Sequence, residues 1–388
     1  VGGYAIGQGT LSAGANYTLT FVDGTLTINA RPITITADDL TRIYGDSDPA
    51  LTHQITTGNL VFGDTLSGAL TRAVGENVGG YAITQGTLSA GANYDVTFVD
   101  GTLTITPRAI TVTADDLTRI YGDADPALTH QITAGNLVFG DTLSGALTRA
   151  AGENVGGYAI QQGTLSAGGN YDVTFVDGTL TITPRAITIT ADDIGRVYGD
   201  ADPALTYAIS SGNLVFGDAV IGALERVAGE DVGVYAILQG TLSAGANYDV
   251  TFVDGAFTIT PRGLVITADD LTRIYGDSDP ALTYAITSGA LEAGDSLTGA
   301  LTRVAGENVG GYAITQGTLS AGANYTLTFV DGTLTITPRA ITVTADDLSR
   351  IYGDADPAFT YAVTSGNLVF SDTISGALTR AGGENIGD

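Results

Sequence analysis

Between residues 109 and 185 apolar and polar side chains alternate in short bursts broken by turn residues. Ile110-Thr111-Val112-Thr113 alternates strictly, the pattern of a half-buried strand. Asp115-Asp116 interrupts it, residues 117–121 resume it, and Gly122-Asp123-Ala124-Asp125-Pro126 supplies turn chemistry. Residues 127–133 predict a second strand, with Leu128, His130 and Ile132 on one face. Around Gly140-Asp141, Leu137, Phe139 and Leu143 predict a turn of helix or a tight loop pinned by Phe139. Residues 144–149 predict a short strand, and Glu153-Asn154-Val155-Gly156-Gly157 a loop leading into the strand Tyr158-Ala159-Ile160. The tyrosine there is placed as at the corner of immunoglobulin-like domains, where a ring at a strand start bonds back to nearby backbone. Finally, Tyr171-Asp172-Val173-Thr174-Phe175-Val176 and Thr179-Leu180-Thr181-Ile182-Thr183 flank Asp177-Gly178. Asp-Gly favours a two-residue type I′ turn. The expected hairpin pairs Phe175 with Leu180, Thr174 with Thr181 and Val173 with Ile182, apolar on apolar and threonine on threonine.

This pattern recurs. Tyr44, Tyr121, Tyr198, Tyr275 and Tyr352, each inside a Tyr-Gly-Asp turn, follow one another at intervals of 77 residues. A period that long means domain-sized units. No segment sustains a 3.6-residue period, and about seven short strands per unit predict an all-β fold: a tandem array of small Ig-like β-sandwich domains. The alternative is a β-grasp-like unit, its sheet wrapped on a short helix at 136–143. Thr183-Pro184-Arg185-Ala186 separates the last strand of one unit from the first of the next, and no Gly/Ser linker intervenes. Pro184 fixes its own φ and holds residue 183 extended, so a short, stiff joint is expected. The repeats then run 32–108, 109–185, 186–262 and 263–339. Residues 1–31 are the C-terminal part of a repeat and 340–388 the N-terminal part of another. The first and last residues stand at the same phase of the repeat, which reads as a window on a longer array; a phase beginning near Val78 is the other option.

Several co-spaced motifs resemble the bacterial MBG or YDG-type repeats. They are Ile-Tyr-Gly-Asp-x-Asp-Pro-Ala-Leu, Gly-Asp-Thr-Leu-Ser-Gly-Ala-Leu-Thr-Arg, Gly-Tyr-Ala-Ile and Asn-Tyr-Asp-Val-Thr-Phe-Val-Asp-Gly-Thr-Leu-Thr-Ile, and the likeness covers the whole chain. It implies a place in large secreted or surface-attached bacterial proteins, such as haemagglutinin-like adhesins and biofilm matrix proteins. The implied role is extracellular extension, and the resemblance brings no catalytic residue.

Charge narrows the partners. The chain carries 42 acidic and 15 basic residues, a formal charge of −27, and every base is arginine. Such a surface disfavours nucleic acid and anionic membrane. Without cysteine there is no disulfide framework or thiol chemistry, and without lysine no isopeptide cross-link. No apolar run approaches the ~18 residues of a membrane span.

The repeated acids offer one sharp reading. Asp115, Asp116, Asp123 and Asp125 are hard oxygen ligands near the joint, of the kind that suits Ca²⁺. The plain reading is that they initiate turns, cap loops and pair with Arg119 and Arg185. His53 and His130 are the only histidines, and tyrosine takes their place at 207, 284 and 361, which fits a core or edge aromatic and no catalytic base. Tyr121, Tyr158 and Tyr171 read as core and corner residues in preference to a glycan platform. No Cys/His, Ser/His/Asp or Lys constellation repeats, so no enzyme is expected.

The expected function is an elongated extracellular stalk or spacer of a bacterial surface or matrix adhesin. The alternatives are an array that binds glycans weakly and gains by avidity, or a filament of neighbouring copies. Between residues 33–109 and 110–186 only six positions differ, all by small changes (Ile35/Val112, Ser47/Ala124, Thr57/Ala134, Val74/Ala151, Thr84/Gln161 and Ala92/Gly169). Duplication of that kind serves length and avidity alike.

Overall fold

The computed structural model describes residues 1–386. The repeat that follows Pro107 serves as the pattern. Its strands are β1 (Arg108–Ala114), β2 (Leu117–Ile120), β3 (His130–Ala134), β4 (Thr148–Arg149), β5 (Gly156–Gln161), β6 (Tyr171–Val176) and β7 (Gly178–Thr183). One sheet has the order β3-β1-β6, the other β2-β7-β5-β4. β1 runs antiparallel to β3 and parallel to β6; β7 runs parallel to β2 and antiparallel to β5. The same two sheets recur in the strand sets that start at Arg31, Arg185 and Arg262. The fold is all-β and Ig-like, two sheets face to face.

The core follows from side-chain alternation. Ile110, Val112 and Ala114 point inward from β1, and Leu180 and Ile182 from β7, all of them buried. The β-grasp alternative fails at 136–143. That segment is a tight turn, closed by Asp141 N donating to Val138 O at 2.9 Å, and no helix occurs among the described residues.

The expected hairpin at Asp177-Gly178 does not form. β6 and β7 lie in different sheets. Val173, Thr174 and Phe175 pair with Ile110, Thr111 and Val112, while Leu180 pairs with Leu117 on one side and Tyr158 on the other. Two long strands, each broken once, therefore run parallel and step together from one sheet to the other, β1 to β2 at Asp115-Asp116 and β6 to β7 at Asp177. Gly178 is a glycine because of this step. Its φ lies outside the left-handed region, and a Cβ there would come within 2.7 Å of Ala114 O and 2.8 Å of Asp115 O. Asp116 completes the step by accepting the Thr179 N–H at 2.7 Å. The apolar and threonine matching that suggested a hairpin arises because both halves of the long strand alternate in phase with their own parallel partners.

The chain forms two compact units, Val1–Arg185 with Ala246–Asp249, and Ala186–Gly245 with Val250–Asp388. Each contains a joint between successive sandwiches.

If Gly178 serves close approach and not a turn, Gly178→Ala will destabilise its sandwich by roughly 1–3 kcal/mol, the usual cost of overpacking. Asp177→Ala, which would disturb a type I′ turn, will cost less than about 0.5 kcal/mol. Thermal unfolding of the two variants checks the order; equal losses would restore the hairpin.

Candidate functional site

The surface that the fold specialises is the joint between sandwiches. In the first unit, one sandwich ends at Thr106 and the next begins at Arg108, leaving Pro107 alone between them. Tyr44 closes the second strand of the first sandwich and is only 4% exposed. Its burial comes largely from the neighbour. Its ring meets Tyr171 edge-on at 5.5 Å and Phe139 edge-on at 5.5 Å. Tyr44 and Ile105 belong to one apolar cluster with Ile110, Val112, Leu165 and Tyr171 of the following sandwich.

Polar groups lock the same surface. Tyr44 donates to Asp141 Oδ2 at 3.0 Å, and Tyr171 donates to the same oxygen at 2.8 Å. Tyr171 Oη also accepts the Val138 N–H at 2.9 Å. Burial, and then the adjacent Asp141 carboxylate, push the Tyr44 hydroxyl above its ordinary pKa. Burial does the same to Tyr171. Asn170 reaches back across the joint, accepting the Val78 N–H at 2.9 Å and donating to Asn77 Oδ1 at 3.0 Å. Arg108 reaches back as well: Nε donates to Tyr44 O at 2.7 Å and Nη2 pairs with Asp46.

Two backbone features bring the surfaces this close. A Cβ on Gly45 would lie 2.6 Å from Val138 Cγ2. Phe139 has φ 56° and Gly140 φ 80°, so the turn is of type I′ with phenylalanine in the left-handed region. A bulky residue there is strained by about 1–3 kcal/mol. The strained turn presents the Phe139 ring to Tyr44.

Within each sandwich the other two arginines build a square. Arg119, whose side chain is 3% exposed, donates through Nε to Asp125 Oδ1 at 2.6 Å and pairs through Nη2 with Glu153. Arg149 pairs with the second oxygen of both acids, donates to Gly152 O at 2.7 Å and lies over the Tyr158 ring at 5.5 Å. The bonds from Arg149, followed by those from Arg119, hold the Asp125 and Glu153 carboxyls below their usual range. Tyr158 donates to Asn154 O at 2.8 Å, which is the corner the sequence predicts. Gly152 makes room for it, since a Cβ would stand 2.0 Å from Tyr158 Cε1.

The four aspartates with calcium-type chemistry are placed separately. Asp115 accepts from Gln131 at 2.9 Å, Asp116 caps the step into β7, Asp123 pairs with Arg185, and Asp125 sits in the arginine square. Among the described residues no three His, Cys, Asp or Glu side chains are gathered as a metal site requires. His130 is half-buried on an edge strand and borders a cavity of about 290 Å³, lined with Leu128, Leu147 and Leu165 and without a second titratable group. Among the described residues no helix is long and apolar enough to cross a membrane.

Sequence reading placed Tyr121 and Tyr171 in the core and assigned the joint to four linker residues. It missed that Tyr44, Asp141, Phe139 and Asn170 form the joint. The partners stand 90 or more positions apart, as the Tyr44–Asp141 and Val78–Asn170 bonds do, and only the packing of one repeat on the next brings them together.

Comparison with known proteins gives one family. The model of the MBG domain (YGX type) matches residues 1–27, 33–104, 110–181, 187–258, 264–335 and 341–388. No curated protein matches. Among solved structures, the crystal structure of the I9-I11 tandem from titin is similar at 13% identity and a TM-score of 0.17, covering 59% of this chain and 98% of that one.

Two outcomes are expected. Because the Asp125 and Glu153 pKa values are depressed in the fold, their contribution is complete above the unfolded carboxyl range, near 4, and is lost as pH falls through the folded values. Denaturant midpoints will therefore stay level from pH 7 to about 5 and fall below about 4. Asp125→Asn will lower the neutral-pH stability of its sandwich by roughly 1–3 kcal/mol, because Arg119 is then buried with a weakened partner. The second outcome concerns calcium. Since the four aspartates are already bonded to protein groups, excess chelator will leave the melting temperature unchanged; a fall that Asp116→Ala abolishes would establish a Ca²⁺ site instead.

Proposed function

The chain belongs to the family of MBG domains of the YGX type, and from that premise we propose that it is a stalk or spacer segment of a bacterial adhesin or matrix protein. Repeats of this family occur in adhesin-like extracellular proteins and are structural, not catalytic. The proposal adds what this segment does there: it holds a binding region away from the surface that carries it.

The observation that carries the reading is the joint. A flexible tether needs free chain between its domains. Here one residue, Pro107, stands between two strands, and the arginine after it is bonded back to Tyr44 O. Tyr44 is sealed under the rings of the following sandwich and shares a carboxylate with Tyr171. Bending that joint must expose a buried tyrosine and break several hydrogen bonds at once. The charge adds to this. Arg42 and Arg119 are engaged within their own repeats and Arg108 and Arg185 at joints, and the excess of acids makes successive repeats repel one another over about 8–10 Å at physiological salt.

Small-angle scattering tests the reading. A compact globule of this length has a radius of gyration of about 21 Å, and the spacer is expected to have one about twice as large. Replacing Pro107-Arg108 by Gly-Gly should reduce the radius of gyration while each sandwich keeps its melting transition. A parent value near the globular one, or a variant that scatters like the parent, would overturn the spacer.

A further inference from the structure

One joint departs from the pattern. The sandwich of residues 262–337 carries Ala290-Leu291-Glu292-Ala293-Gly294-Asp295 where its predecessors carry Asn-Leu-Val-Phe-Gly-Asp, and the sandwich before it has Asp231 where others have Asn77 or Asn154. Tyr198, Asp200, Asp231 and Val232 on one side and Arg262, residues 292–295, Asn324 and Tyr325 on the other all lie within the second compact unit. We infer that this joint is a compliant point built into the array, the place at which successive sandwiches part first.

The substitutions remove the parts that seal the ordinary joint. Tyr198 keeps its edge-on contact with Tyr325 at 5.5 Å and its bond to Asp295 Oδ2 at 3.1 Å. Ala293 cannot supply the second ring that Phe139 lays on Tyr44. The strained turn is gone as well. Asp295 N still bonds Glu292 O at 3.0 Å, but only Gly294 has positive φ, the pattern of a type II turn. That the left-handed phenylalanine disappears together with its ring indicates that ordinary joints accept the strain in order to place the ring.

The apolar contact is replaced by charge. Where Val138 packs on Gly45, Glu292 lies over Gly199 and pairs with Arg262 at 3.2 Å. Both partners of that pair are exposed by a quarter or more, so it is a surface ion pair of small net worth. Asp200, Asp231 and Asp295 stand at the same joint, where Arg262 pairs with Asp200. The cores reflect the exchange. Tyr198 and Val232 cluster with Phe257 and Ile259 of their own sandwich, and Ile266, Leu301 and Leu334 cluster within the next, whereas Tyr44 shares a cluster with its successor. Tyr44 and Tyr121 are each 4% exposed, and Tyr198 is only half-buried.

Three equivalent amides report on three joints. Val78, Val155 and Val232 each donate at 2.9 Å to an asparagine Oδ1 of the following sandwich, Asn170, Asn247 and Asn324. Each can exchange only when its joint opens. Hydrogen exchange of the full chain, followed by mass spectrometry of peptides 71–84, 148–161 and 225–238, resolves them because these three sequences differ. After correction for intrinsic rates, the Val232 amide is expected to exchange about two- to tenfold faster than the other two, the equivalent of one lost aromatic pair. Ala290→Asn with Glu292→Val and Ala293→Phe restores residues already tolerated in neighbouring repeats and should bring Val232 level. The reverse change, Val138→Glu with Phe139→Ala, should loosen Val78. Equal protection at all three joints, or a Val232 rate that the restoring variant leaves unchanged, would overturn the inference; neither result bears on whether the array is a spacer.

Discussion

Pro107, the single residue between Thr106 and Arg108, governs the rest of this architecture. A chain that passes from one sandwich to the next in one residue cannot keep the two ends apart, so whatever lies at those ends must pack. The Tyr44-Gly45 turn is pressed against the 138–141 turn and against Tyr171 at the start of β6. Tyrosine suits that position because its ring can be buried while its hydroxyl still finds a partner. In Tyr44 the partner is Asp141, which Tyr171 also uses. Glycine follows the tyrosine because Val138 leaves no room for a side chain.

Arginine is used sparingly and for two purposes. With three per period and no lysine, two form the square with Asp125 and Glu153, and the third grips the preceding sandwich at the joint. A planar guanidinium serves both places because it can hold two acceptors in fixed directions, which an ammonium cannot. The square ties β2 to the Asp125 turn, to β4 and to the Glu153 loop, the part of the sandwich least supported by sheet pairing. The 42 acids outnumber the 15 arginines, which leaves the formal charge of −27. The arginines are thus committed to partners within the sandwich and at the joint.

Legibility differed from segment to segment for identifiable reasons. Strand positions and the corner of Tyr158 could be read because alternation and a four-residue hydrogen bond are local. The Asp177-Gly178 step was misread as a hairpin. A close backbone crossing and a type I′ turn both select glycine, one for lack of a Cβ and the other for positive φ, and the sequence does not distinguish them. Of the candidate ligands, Asp125 and Asp123 lie beside arginines and Asp116 caps the step into β7. The joint itself was not legible, because Tyr44 and Asp141 are 97 positions apart and nothing in either neighbourhood names the other.

By itself the sequence determined the period, the all-β class and the absence of free linker, since each depends on near neighbours and on repetition. Only the tertiary structure decided that the two long strands cross sheets in parallel, and that Tyr44 is buried against the sandwich that follows its own. Both are matters of which surfaces meet. Alternation tells a residue which way to face, but the partner it faces is chosen by the packing of the whole domain and of its neighbour.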